Sequence, residues 1–254
     1  MLSTLFETSL TAWSPFLLFG FFFLLRFVLF SYIENKLYAH KFKQKEVFLP
    51  DLGSALFYMI VVFPVAMYLS NWIVTSPFSF PNIDTVSIFV RIFLYFFVAD
   101  FLHYWIHRLM HLPLLWRIHM WHHSPTHMSW LAGFRASILD ATVVNVAFIL
   151  TWPLLGTVDH TTRLVVLLLG VLVNDWMHLN IRFRFRFLEN FLITPRYHHI
   201  HHSNDQKHYT KNLAAIFPIW DKLFGTYSDP DLVKEEITFG LNKKRSRTRL
   251  VSGL

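Results

Sequence analysis

Five stretches of this 254-residue chain are apolar over nearly the length a helix needs to cross a bilayer, about 20 residues. They run Trp13–Tyr32, Leu52–Trp72, Thr85–Phe101, Ile138–Leu155 and Thr161–Met177. In hydrocarbon every backbone N–H and C=O must be paired within the protein, which a helix achieves alone and an isolated strand cannot. The expected fold class is therefore an all-α integral membrane protein, a transmembrane bundle of four to five helices. Composition agrees: only 15% of residues are charged, where a soluble domain carries about a quarter. Arg26 interrupts the first run and is expected to snorkel or to face another helix. Pro64 and Pro153 fall inside two of the runs and should kink them. The last two runs flank the short Gly156–His160 turn and read as a helical hairpin. The first ten residues hold no Lys or Arg and no small-residue cleavage site follows, so the first run reads as a retained helix, not a signal peptide.

The net charge of +7 is placed beside the apolar runs, which favours an anionic membrane surface as partner over nucleic acid. The basic tail Asn242–Leu254 lacks the interleaved aromatics of a nucleic-acid site. Arg182, Arg184 and Arg186 alternate with Phe183, Phe185 and Phe187, the pattern of an interfacial segment. After the first run come Lys36, Lys41, Lys43 and Lys45, while Val74–Asp84 has no basic residue. The positive-inside rule then puts the first loop in the cytoplasm, and counting spans forward puts Arg108–Arg135, Arg182–Arg186 and the tail there too. The polar stretch Glu34–Lys45 reads as a loop. Cysteine is absent, which excludes disulfides, iron–sulfur clusters and thiolate zinc sites.

Against this apolar background, nine of the fifteen histidines form a set that a metal centre could use: His107, His111, His119, His122, His123, His178, His198, His201 and His202. Spacings of three and four put imidazoles on one helical face, and imidazole suits iron, zinc, copper and nickel. Nine are too many for one four-coordinate ion and about right for two. On the counted topology all the clusters lie at the cytoplasmic boundary. His103 shares the stripe of His107 and His111 and reads as lining or supporting. His199 reads as non-ligating, His127 and His208 as neighbours of the site, and His40 and His160 as surface residues, His160 on the far side.

The motifs Tyr104–His111 (YWxHRxxH), Leu115–Ser124 (LWxxHxxHHS) and Thr194–Ser203 (TPxxHxxHHS), with the closing stretch Trp220–Thr226, carry a family likeness. The chain resembles the fatty acid hydroxylase/sterol desaturase superfamily of integral-membrane di-iron oxygenases. The resemblance implies a membrane bundle capped by a cytosolic histidine-rich region, where two irons (zinc is a possible substitute in purified protein) activate O₂ to oxidise a lipid C–H bond. It assigns eight of the nine histidines as ligands, and His178 matches an extra histidine found after the last membrane helices. The chain departs from the pattern at His103, Ser137 and Asp140. Carboxylates are expected to hold the imidazoles by their other N–H, with Asp100, Asp175, Asp205 and Asp221 as candidates.

The resulting expectation is an O₂-dependent monooxygenase hydroxylating an acyl chain, sterol-like or ether lipid. Electrons would come from a separate cytochrome b5-, ferredoxin- or reductase-like protein, since no flavin, haem or iron–sulfur motif is present. Desaturation by the same centre is the first alternative. A metal transporter or store would need ligands along the spans, and a zinc hydrolase would need HExxH. The chain reads as a single membrane domain: 1–99 mainly anchor helices, 100–227 catalytic, 242–254 a basic tail. Its compact length favours a bacterial cytoplasmic membrane over the endoplasmic reticulum.

Overall fold

The computed structural model describes residues 2–40, 44–74, 80 and 82–242. The tail beyond Asn242, and Lys41 and Lys43 of the first loop, lie outside the described residues. Among those described, the regular structure is helical apart from one bridge pair, Ser203 with Phe239. The long elements are α1 (Leu2–Leu37), α2 (Gln44–Phe57), α3 (Phe63–Val74), α4 (Ile88–Met110), α6 (Ile138–Leu150) and α7 (His160–His178). Three short ones, α5 (Trp116–His119), α8 (Pro195–His201) and α9 (Ile219–Leu223), belong to the histidine-rich part.

Among the described residues, four segments are long and apolar enough to cross a membrane: Leu18–Leu37, Phe48–Val65, Ile88–Met110 and Ile138–Leu155. The stretch Thr161–Met177 is helical as expected but is not among them; Arg163, Asn174 and Asp175 dilute its apolar character. Four of the five expected spans thus meet that measure, and α7 still runs back to the other histidines, since His178 at its end groups with His122, His198 and His202.

Both prolines leave a mark. Pro64 has no N–H to give, and its ring would clash with the carbonyl four residues back. The chain answers with a π-helical turn, Tyr58–Val62, that joins α2 to α3 and widens the helix at the point of conflict. Before Pro153, α6 stops at Leu150 and a 3₁₀ turn, Trp152–Leu155, follows. Gly156 then turns the hairpin at φ +64°, a conformation that side chains rarely accept. Asp84 fixes the turn by accepting from Thr157 N (2.8 Å), Thr157 Oγ1 (2.9 Å) and Arg91 (2.7 Å). Asp159 caps α7 by accepting the Thr162 N–H at 2.7 Å.

Several charged side chains buried inside the bundle find partners across it. Arg26 does not snorkel: it forms a buried ion pair with Asp175, joining α1 to α7. Its guanidinium also lies over Phe22, Phe23, Trp130 and Phe134 at 5.2–5.8 Å from the ring centroids, close enough for cation–π attraction. Arg135 and Asp51 form a second buried ion pair. Glu34, expected in a loop, belongs to α1 and is buried; its Oε1 accepts Trp130 N (2.7 Å) and Asn180 N (2.9 Å). Those contacts give a carboxylate on a helix of the apolar bundle the donors that water would otherwise supply. Through them α1 grips both the 3₁₀ turn Trp130–Phe134 and the chain after α7, the two segments that flank the histidines. Here α4 packs most extensively on α6.

Candidate metal centre

Continuing past Phe101, α4 and its C-cap residue carry His103, His107 and His111 on one stripe at four-residue steps. The turn Trp116–His123, the end of α7 and the helix α8 bring the remaining rings to it. The nine histidines fall into two groups: His107, His111, His119, His123 and His201, and then His122, His178, His198 and His202. Within each group one ligand nitrogen per ring lies within 4.8 Å of every other.

Hydrogen bonds fix which nitrogen faces inward. His107 Nδ1 donates to Leu213 O at 2.6 Å, His122 Nδ1 to Arg135 O at 3.0 Å, His178 Nδ1 to Asn174 O at 2.8 Å and His201 Nδ1 to Lys211 O at 2.9 Å. His119 Nδ1 donates to Asp140 Oδ1 at 3.2 Å. With Nδ1 protonated, a neutral ring presents Nε2 as a lone pair.

Those lone pairs are crowded together. His107 and His119 approach Nε2 to Nε2 at 2.9 Å. His178, His198 and His202 form a triangle of Nε2 atoms with sides of 3.2, 3.0 and 3.2 Å. In the first group Nε2 of His111, His123 and His201 is buried without any partner. Lone pairs facing each other repel, and orphaned buried acceptors are costly. A cation at the focus resolves both, and nitrogens about 2.0–2.1 Å from one ion lie about 3 Å apart at right angles. The donor set therefore fits a metal in each group.

Burial and neighbouring imidazoles hold the rings outside the spans neutral, the form that ligates. Burial takes His111 down to about 3 and His122 down to about 4. His119, His123, His198, His201 and His202 are also pushed well below the usual value, chiefly by burial and then by the adjacent rings.

The supporting carboxylates are not those expected. Among the described residues none of Asp100, Asp175, Asp205 and Asp221 bonds an imidazole. Asp175 is taken by Arg26. Asp205 is at the surface, capping the turn at Lys207 N (3.1 Å) and meeting Lys207 Nζ at 3.3 Å. Asp100 accepts the N–H groups of Ala215, Ile216 and Phe217 at 2.8–3.1 Å. Asp221 accepts those of Leu213 (2.8 Å) and Ala214 (3.0 Å), together with Tyr197 OH (3.0 Å) and Thr226 Oγ1 (2.6 Å). The last two still serve the site at one remove, because they fix the 213–217 segment whose Leu213 carbonyl holds His107. The carboxylate that does touch an imidazole is Asp140, which the sequence marked only as a departure from the family pattern. Ser137 caps α6 by accepting Asp140 N at 3.1 Å, and the carboxylate stands in the first turn of that helix.

Other placements follow. His103 lies outside both groups, its ring 5.2 Å from that of His107. His199, His127 and His208 are also outside them. His40, expected at the surface, is half-buried against His199 (ring centroids 5.3 Å) and Phe239 (5.1 Å). Gly133 permits close approach: a Cβ there would sit 2.6 Å from Asn174 Nδ2 and from His178 Nδ1.

Two cavities share the nine rings without overlap. One, about 160 Å³, is lined by His107, His119, His122, His178 and His198 and otherwise mostly by apolar side chains of α4, α6 and α7, with His103, Asp140, Asn145 and Asn174 in its wall. The other, about 240 Å³, meets His111, His123, His201 and His202 together with Trp116 and Tyr209.

Several known proteins are similar to this chain. The chain is 31% identical over 147 residues to human alkylglycerol monooxygenase, covering 58% of this chain and 32% of that protein. Methylsterol monooxygenase of Aspergillus fumigatus is 28% identical over 180 residues, 68% of this chain and 57% of its own. An ornithine lipid hydroxylase of Rhizobium tropici is 32% identical over 140 residues, 52% and 40% respectively. The chain thus spans about a third of the length of the alkylglycerol monooxygenases it matches. No solved structure matches it. The fatty acid hydroxylase family model matches residues 92–226, more than half of the chain and all nine histidines, and the protein belongs to that family.

Proposed function

We propose that this protein is an O₂-dependent membrane-lipid hydroxylase whose nine histidines hold two irons. The observation that carries this reading is the meeting of both histidine groups with a single, mostly apolar cavity between membrane-type helices. When bound, the irons would supply the redox chemistry that activates O₂ toward an unactivated C–H bond. His107, His111, His119, His123 and His201 would hold one, and His122, His178, His198 and His202 the other.

The rest is work for the chain itself. The carbonyls of Leu213, Arg135, Asn174 and Lys211 and the Asp140 carboxylate keep the Nδ1–H of five of the nine rings occupied, so those rings cannot turn away. Such outer contacts fix ring orientation and raise ligand basicity. Phe148, Val166 and Val171 line the same cavity, favouring an acyl, sterol-like or ether-lipid carbon and keeping water scarce. The overall balance takes one lipid C–H, O₂, two electrons and two protons to one C–OH and one water. We assign the electrons to a separate donor protein, and the site to the cytoplasmic boundary of a bacterial inner membrane on the placement of the basic residues. The region 100–227 is then the catalytic part and 1–99 its anchor.

The test is product analysis. Membranes holding the protein, an electron-supply system and heavy-isotope O₂ should yield a lipid carrying one labelled oxygen, absent with His122→Ala. A product short of two hydrogens would make the enzyme a desaturase, and no lipid change at all would defeat the oxygenase reading.

A further inference from the structure

A third cavity, about 180 Å³, lies apart from the nine ligand histidines and has a different chemistry. It forms where the end of α1 meets the chain leaving α7. The Asn180 amide ties the two together: Oδ1 accepts Ala39 N (3.0 Å) and His40 N (2.9 Å), and Nδ2 donates to His40 O (2.9 Å). Arg182 N adds a bond to Leu37 O at 2.9 Å. Every polar group of that side chain is used on backbone, so the frame of the pocket is fixed.

Three arginines and two histidines line this frame: Arg182, Arg184, Arg196, His40 and His199. Arg196 is already held by Glu189 (2.6 Å) and Asp231 (2.7 Å), and Asp231 also holds Arg186 at 2.7 Å. Those acids are therefore spent. Arg182 and Arg184 are exposed and have no acidic partner among the described residues. His199, by contrast, is only 1% exposed, and its Nε2 has no hydrogen-bond partner. Its place in α8 turns it off the face used by His198, His201 and His202 and toward His40. The His199 ring is neutral and offers a lone pair, so it lends the pocket no charge; the two exposed guanidiniums of Arg182 and Arg184 make the pocket a place for an anion with several oxygens. Guanidinium forks match phosphate in shape as well as charge.

Position narrows the ligand further. The apolar span of α1 ends at Leu37, three residues before His40, so the pocket stands at the level where hydrocarbon gives way to headgroups. Ile181 and Ile200 supply an apolar wall beside the arginines. We propose that this pocket binds a phosphate group through Arg182 and Arg184, that of an anionic phospholipid or of a soluble phosphate ester. The site is separate from the metal centre, and its test does not depend on the oxygenase reading.

The experiment is native mass spectrometry of the full chain released from neutral detergent, titrated with phosphatidylglycerol, with glycerol phosphate and with inorganic phosphate. One phosphatidylglycerol per chain should be retained, and the double variant Arg182→Gln/Arg184→Gln should weaken it about tenfold or more. Both side chains are exposed, so melting temperature and metal content should not move. The control Lys222→Gln, on α9 and outside this pocket, should bind as the parent does. Displacement by glycerol phosphate at similar concentration would make the soluble ester the ligand, whereas failure to displace would assign the lipid headgroup. Absence of saturable binding by all three probes, or equal binding by parent and double variant, overturns the proposal.

Discussion

The group of five and the group of four histidines are built from the same motifs in different ways. Each HxxHH run is divided between them: His119 and His123 go to the five while His122 goes to the four, and His198 and His202 go to the four while His201 goes to the five. On a helix, residues four apart differ by about 40° in direction and the residue three along points to the other side of the first. The outer pair thus aims at one focus and the middle residue at the other. His107 and His111, also four apart, complete the five, and His178 from α7 completes the four. Each HxxHH motif is a bridge between two foci rather than a site in itself. The five take two rings from α4 and its end, two from the turn that follows and one from α8, whereas the four depend on the meeting of α7, α8 and the Gly133 turn.

This comparison breaks first if one group is only structural. Replacing His123 or His178 by Ala should each take lipid oxidation to background in the same product assay, one variant per group. Full activity after either change would reduce the reacting centre to the other group.

Smaller changes separate the groups by their supports. Gly133→Ala pushes on His178 Nδ1 and Asn174, so metal affinity should fall about 10–100-fold at the four while the five hold. Asp140→Asn loosens His119 and should do the reverse by a similar factor, read by competition with a chelator. Loss from the same group in both variants would contradict the assignment.

Acid should act on both groups together. The folded values of His111 and His122, about 3 and about 4, lie below the usual histidine value of 6.5. An unfolded chain therefore binds more protons than the folded one between those limits, and stability is lost as pH falls below about 6.5. Each such ring contributes about 1.4 kcal/mol per pH unit through that window. Thermal melting of metal-stripped protein should be flat from pH 8 to 7 and drop steeply toward pH 5; a flat profile across the whole range would mean that the rings are solvated. The gentlest change is Gly170→Leu in the wall of the apolar cavity, where a Cβ meets nothing within 4 Å. It should lower turnover of the longest chains by roughly tenfold or less and leave metal content intact.

Sequence alone carried four of the five expected spans and the nine histidines that the structure draws together, because apolar length and imidazole spacing are both legible along the chain. It did not divide that set into five and four, since the split depends on how α7 and α8 approach α4. It also missed the supports. Four of the five Nδ1 acceptors named above are backbone carbonyls, which leave no trace in residue identity. Asp100 and Asp221 were noticed for their nearness to the motifs, yet they act through the peptide groups of 213–217. Asp175 was claimed by a cation 149 positions away, Arg26. A pairing that distant is invisible until the helices are packed.

The most direct test of the two-focus centre is titration of stripped, folded protein with ferrous iron under anaerobic conditions. The account predicts uptake of about two ions per chain, about one for His111→Ala and for His202→Ala, and none for the two changes combined. Folded protein that binds no iron, or that binds as much after both substitutions as before, would contradict it.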